Sequence, residues 1–131
     1  MSYEYTQPVR LEDTSTAGTL YYAEVPKYVG RAVEELIAAA GYPYRENLAR
    51  DLGLLVVHTE TEYVNPMREG DEIRIEVTPA VGESSVTFEA RATRDGEEVF
   101  RASETRVAAD LSTMESHSVP DSLRKALMEY A

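Results

Sequence analysis

The chain has no cysteine, no tryptophan and only two histidines, His58 and His117. Without thiols there is no disulfide framework, no cysteine nucleophile and no thiolate metal site, and two histidines are too few for a histidine-rich zinc centre. Stability must come from packing. Long hydrophobic runs are missing as well. No stretch approaches the roughly 18 apolar residues of a membrane span, and Met1-Ser2-Tyr3-Glu4 lacks the basic-then-apolar layout of a secretory leader. These absences predict a soluble, cytoplasmic protein with no metal and no cofactor of its own.

Positive charge is also scarce: 13 Lys and Arg face 24 Asp and Glu, for a net charge of -11. A surface of that sign repels phosphate backbones, which excludes a nucleic-acid-binding module. Among the cations only Lys27 and Lys125 are lysines. Two origins fit this composition: a saline cytoplasm, in which a dense carboxylate surface stays hydrated and its self-repulsion is screened, or an acidic, arginine-preferring proteome.

What is present is enough for one domain over residues 1–131, with no repeat, low-complexity tract or linker. Tyr3 to Leu11 reads as a strand that Pro8 restricts to an edge or an end. A polar loop from Glu12 to Tyr21 follows. From Tyr22 to Ala40, apolar residues at Val25, Val29, Ala32, Val33, Leu36, Ile37 and Ala40 keep the spacing of one helical face. Pro26 fits only near the start of that helix, and Gly41 with Pro43 stops it. Tyr44 to Leu52 reads as a short second helix. The period then changes to that of strands, at Leu54–Asn65, Glu72–Pro79 (Ile73, Ile75, Val77 inward), Ser85–Arg94 (Val86, Phe88, Ala90, Ala92 inward) and Glu98–Ala109. Asp95-Gly96 marks a tight turn before the last strand. Val119 to Ala131 closes the chain as a helix. This order predicts an α+β domain, one antiparallel sheet with a long helix across one face.

Three blocks in this order resemble a known family. Glu12-Asp13-Thr14-Ser15-Thr16-Ala17-Gly18-Thr19-Leu20-Tyr21-Tyr22 with Gly30-Arg31-Ala32, then Val56-Val57-His58 through Tyr63-Val64-Asn65-Pro66-Met67-Arg68-Glu69-Gly70-Asp71-Glu72-Ile73, then Val119-Pro120, are similar to the 4-hydroxybenzoyl-CoA thioesterase-like branch of the hotdog superfamily. The resemblance implies a curved sheet of about five strands wrapped around the helix. It also implies hydrolysis of an acyl-CoA or acyl-carrier-protein thioester, with coenzyme A entering only as part of the substrate. Homodimers or homotetramers built edge to edge, with active sites at the dimer interface, are implied too. By the same match, the N–H groups from Gly18 to Tyr22 are candidates to hold the thioester oxygen as it becomes an oxyanion, Tyr22 above all. Thr16, Gly18, Tyr21, Tyr22 and His58 are the candidate substrate-binding residues.

One departure from the family pattern bears on mechanism. The second Asp of the family's Asp-Thr-Asp, which attacks the thioester or activates water, is Ser15 here. A serine without a base beside it is a poor nucleophile. Either hydrolysis is lost, leaving a non-catalytic acyl-thioester binding domain, or other residues carry it. The chain also resembles the enediyne polyketide thioesterases, which work without an acidic nucleophile, in Glu12, Thr14, Gly18, Tyr21-Tyr22 and Gly30-Arg31. That match makes Arg31 a candidate for stabilising charge; the alternative is a surface pair with Glu34 or Glu35. Glu24, seven residues before Arg31 and so on nearly the same azimuth of an α-helix, is the candidate general base; the alternative is a carboxylate complementing the helix dipole. Asp13 completes the catalytic candidates, although its family counterpart mainly braces the loop. His58, Glu60 and Glu62 alternate on one strand face, a pattern of solvent exposure rather than of metal binding. His117 sits in a serine-rich loop and reads as a surface residue. Arg91, Arg94, Arg101 and Arg106 are candidates for the coenzyme A phosphates.

Overall fold

A computed structural model describes residues 1–131. Five strands form one antiparallel sheet: β1 (Tyr3–Pro8), β2 (Leu52–Tyr63), β3 (Glu72–Val81), β4 (Ser85–Arg94) and β5 (Glu97–Asp110), in the spatial order β1-β3-β4-β5-β2. Helix α1 (Val25–Ala39) lies across one face, α2 (Tyr44–Ala49) precedes β2, and α3 (Asp121–Met128) closes the chain. The expected architecture is the observed one, a hotdog-type α+β domain.

The core lies between α1 and the sheet. Val25, Tyr28, Val29, Ala32, Val33, Leu36 and Ile37 are buried on the helix side. Facing them are Ile73, Ile75 and Val77 of β3 and Val86, Phe88, Ala90 and Ala92 of β4, the inward residues that strand alternation assigns. Leu123 and Leu127 of α3 seal one end. Tyr130 then packs edge-on against Tyr3, with ring centroids 5.7 Å apart.

Element ends differ from expectation for local reasons. The long helix does not begin as an α-helix at Tyr22. Residues Tyr22–Glu24 form a 3₁₀ turn, and the α-helical ladder starts at Val25 so that Pro26 falls in the first turn, where a missing N–H costs little. The helix stops at Ala39, followed by Gly41 at φ +92°, and Ala40 is only partly buried. β3 continues through Pro79 to Val81, because β1 ends opposite Val77 and beyond it β3 has a single neighbour. β2 starts early, at Leu52, and Leu111 packs over Gly53: a Cβ there would lie 2.6 Å from Leu111 Cδ2 and displace that side chain. The Asp95-Gly96 turn has φ of +51° and +82°, the paired left-handed geometry of a two-residue hairpin.

One polar cluster is built into the core. Arg106 and Glu104 of β5 are both buried, and Arg106 donates through Nε to Glu104 Oε2 at 2.7 Å and through Nη1 to Glu34 Oε1 of α1 at 2.7 Å. Burial alone would lower the Arg106 pKa, but the two carboxylates outweigh it and hold the guanidinium charged.

Candidate active site

The loop between β1 and α1 is held by its own backbone. Asp13 N–H bonds Arg10 O at 2.9 Å, Ser15 N–H bonds Thr19 O at 2.8 Å, and Gly18, at φ +79°, returns its N–H to Ser15 O at 2.9 Å. Leu20 N–H reaches Met67 O at 2.7 Å and Tyr21 N–H reaches Asp13 O at 2.9 Å. Of the amides from Gly18 to Tyr22, those of Gly18, Leu20 and Tyr21 are therefore engaged. Thr19 and Tyr22 keep theirs free, as does Ala23, because Tyr22 and Ala23 open the 3₁₀ turn and have no earlier carbonyl to bond.

Beside these amides lies a cleft of about 220 Å³, lined by Leu20, Tyr22, Val25, Tyr63, Val64 and Met67 together with Thr19, Asn65 and Pro66. It is mostly apolar and contains no ionisable carboxylate or imidazole. Tyr63 fixes its wall by donating its hydroxyl to Tyr22 O at 2.9 Å, and Asn65 is anchored through Nδ2 to Glu98 O at 2.7 Å. The Tyr21, Tyr22 and Tyr63 rings run in series, with centroid spacings of 4.9 Å and 6.5 Å. Burial raises the Tyr63 pKa, so its hydroxyl stays a donor at neutral pH.

The charged candidates lie elsewhere around the junction. Asp13 Oδ2 accepts the Tyr28 hydroxyl at 2.7 Å, a bracing contact under the loop. Burial first, then this carboxylate, push the Tyr28 pKa up and keep it a neutral phenol. Arg31 does not pair with Glu34 or Glu35: its Nη1 donates to Gln7 Oε1 at 3.2 Å and its guanidinium lies 5.8 Å from the Tyr28 ring centroid. Glu24 pairs with Lys27, with Nζ 3.1 Å from Oε2 but out of line for a hydrogen bond, so that buried oxygen has no hydrogen-bond donor. Glu24 and Arg31 thus both act on Tyr28 and do not form the walls of the tyrosine-lined cleft. Ser15 Oγ accepts Ala17 N–H at 3.3 Å in the loop. His58 is exposed, beside Glu60 at 3.3 Å, and does not line the cleft.

The four arginines expected to meet phosphates are all in ion pairs within the chain: Arg91 with Glu98, Arg94 with Asp71 and Glu97, Arg101 with Glu98 and Glu62, and Arg106 with Glu34 and Glu104. Their charge is locally neutralised. Sequence reasoning missed Tyr28 and Tyr63. The first had a signal, since a tyrosine on an apolar helical stripe must find a partner for its hydroxyl; the second stood in the Tyr63-Val64-Asn65-Pro66 block that carries the resemblance, without a role assigned to it.

Residues 9–127 match the model of the Thioesterase-like superfamily. A 1,4-dihydroxy-2-naphthoyl-CoA hydrolase of Nostoc punctiforme is 28% identical over 128 residues, covering 94% of this chain and 84% of that protein. Among solved structures, a 1,4-dihydroxy-2-naphthoyl-CoA thioesterase from Synechocystis superposes with a TM-score of 0.91 at 18% identity, over 98% of this chain and 97% of that one. The Dynemicin thioesterase gives a TM-score of 0.90 at 21% identity, over 100% of this chain and 98% of that one.

Proposed function

Because the chain belongs to the Thioesterase-like superfamily, we propose that it hydrolyses an acyl thioester to the free acid and thiol, with the Tyr22 and Ala23 amides receiving the carbonyl oxygen. The observation that carries this reading is the pair of unengaged N–H groups at the start of the 3₁₀ turn, next to an apolar cleft that Tyr22 lines. Donors already in place beside an apolar cleft favour the oxyanion over the ground-state carbonyl. Ser15 and Thr16 supply hydroxyls that position water but no base. Glu24, at the end of the 3₁₀ turn that leads into α1, is the carboxylate assigned as proton acceptor: Lys27 donates to its Oε1 at 3.4 Å, while its buried Oε2 has no hydrogen-bond donor. Arg31 acts through position, bracing Tyr28 and Gln7.

An aromatic acyl group suits the Tyr21, Tyr22 and Tyr63 series, whose rings offer edges and faces to a flat substrate. The relatives named for 1,4-dihydroxy-2-naphthoyl-CoA support the same choice. Glu24→Gln is expected to lower kcat by roughly tenfold to a hundredfold with the fold intact, the low end of a general base's contribution because Lys27 competes for the carboxylate. Ser15→Asp is expected to raise turnover by restoring a carboxylate beside the loop. Steady-state kinetics on both variants test the assignment, and unchanged turnover in Glu24→Gln removes Glu24 from the mechanism.

The functional unit is a homodimer or homotetramer. β2 is an edge strand of twelve residues, and Val56, Val57, Tyr63 and the following Val64 are exposed along it, an edge that a monomer leaves open to pairing. Sedimentation at micromolar concentration is expected to give a dimer or a larger even assembly; a monomer carrying full activity would contradict an interface site. No helix is long and apolar enough to cross a membrane.

A further inference from the structure

We propose that Tyr63 is a positioning residue for hydrolysis: through the Tyr22 carbonyl, its hydroxyl fixes and polarises the peptide that ends in the Ala23 N–H, and so prepares that amide as an oxyanion donor. This inference rests on the thioesterase reading and deepens it, by naming the side chain that holds one of the two donors in place.

The peptide group itself makes the link. In a trans peptide the C=O and N–H lie in one plane and point in opposite directions, so a group that fixes the oxygen also aims the hydrogen. Two peptides carry the free N–H groups of the turn. The one joining Tyr21 to Tyr22 has its oxygen bonded by the Glu24 N–H at 2.9 Å. The one joining Tyr22 to Ala23 has its oxygen bonded twice, by the Val25 N–H at the start of α1 and by the Tyr63 hydroxyl at 2.9 Å. The second of these bonds comes from the sheet, across 41 residues of chain.

Tyr63 is well held for this task. It is the last residue of β2 and pairs with Phe100 of β5, which is fully buried. The chain is pinned directly after it, since Val64 N–H and Asn65 N–H both bond Val99 O, at 2.9 Å and 3.1 Å, and Asn65 Nδ2 bonds Glu98 O at 2.7 Å. The Tyr63 ring stands edge-on to the Tyr22 ring, with 82° between their planes. Backbone and ring together therefore direct the hydroxyl at Tyr22 O. A water molecule on the same oxygen supplies a similar bond but no fixed direction.

The bond acts on the Ala23 amide in two ways. A donor aimed before the substrate arrives needs no reorganisation as negative charge develops. A hydrogen bond accepted by the carbonyl oxygen also draws electron density from the nitrogen and strengthens the N–H as a donor, by about 10–30% per bond. The Tyr63 ring is part of the cleft wall, whereas this role belongs to its hydroxyl alone.

Three proteins test the assignment: the wild type, Tyr63→Phe, which keeps the ring and loses the hydroxyl, and a protein carrying 3-fluorotyrosine at position 63, whose more acidic phenol donates more strongly. With an aromatic acyl-CoA, Tyr63→Phe is expected to lower kcat about five- to tenfold, the scale of one neutral hydrogen bond, with KM within about twofold. The fluorinated protein, at a pH that keeps its phenol protonated, is expected to be faster than the wild type, a grading with donor strength that packing alone does not produce. Heteronuclear NMR of the free proteins gives a readout independent of turnover: in Tyr63→Phe the Ala23 amide proton is expected to move upfield, while that of Tyr22 stays in place. A wild type that hydrolyses nothing overturns the thioesterase reading, whereas an Ala23 resonance identical in wild type and Tyr63→Phe overturns the role of Tyr63. So does an unchanged kcat in Tyr63→Phe, a loss that appears in KM instead, or a fluorinated protein no faster than the wild type.

Discussion

Tyr22→Pro is expected to lower kcat by roughly a hundredfold to a thousandfold while leaving the protein folded, the scale for losing one oxyanion donor. The substitution removes a single backbone N–H. Its site tolerates proline for reasons visible in the structure: Tyr22 is the first residue of the 3₁₀ turn, and its N–H makes no hydrogen bond. Tyr21 before it is extended, at φ -68° and ψ 129°, the conformation that a following proline demands. Tyr22→Ala is the necessary control, because it removes the ring and keeps the amide. It is expected to weaken KM for an aromatic thioester with a much smaller loss in kcat. If the proline and alanine variants turn over alike, the Tyr22 amide does not receive the oxyanion.

The second large effect concerns stability. Arg106→Ala is expected to cost roughly 3–5 kcal/mol, because it leaves Glu104 charged and buried without its partner. For a domain of this size that lowers Tm by roughly 10–20 °C. Exposure decides which carboxylate matters: the Glu104 side chain is 5% exposed and that of Glu34 is 49% exposed, so Glu34→Ala is expected to cost far less. Replacing both members of the buried pair, Glu104→Leu with Arg106→Met, is expected to be near neutral, since no uncompensated charge is then left behind. Thermal melts of the three variants check this. An Arg106→Ala protein as stable as the wild type would mean that water reaches Glu104 in solution.

Much of the fold was legible in the sequence because its signals are periodic. The apolar stripe of α1, the alternation in β3 and β4 and the Asp95-Gly96 turn each follow from one residue's local geometry. Element ends were less legible where a neighbour decides them. Pro79 reads as the end of a strand, yet it is tolerated inside β3 only because β1 stops opposite Val77.

The same distinction applies to the site. Counting seven residues puts Glu24 and Arg31 on one azimuth of an α-helix, and both lie near Tyr28, which stands between them at four residues from Glu24. What the count does not show is that this face stands apart from the tyrosine-lined cleft. Likewise, Arg91 and Arg101 are engaged by Glu98 and Glu62 of neighbouring strands, a pairing set by sheet register and invisible in one dimension.

The central claim, that this fold still hydrolyses thioesters although Ser15 stands where its family has a carboxylate, is tested most directly by following free thiol released from purified wild-type protein mixed with an aromatic acyl-CoA. Multiple turnovers per active site, with thiol and free acid formed in equal amounts, are the predicted result. Saturable binding of the acyl-CoA with no thiol released, across aromatic and aliphatic acyl groups and their carrier-protein thioesters, would contradict it and make the protein a thioester-binding domain.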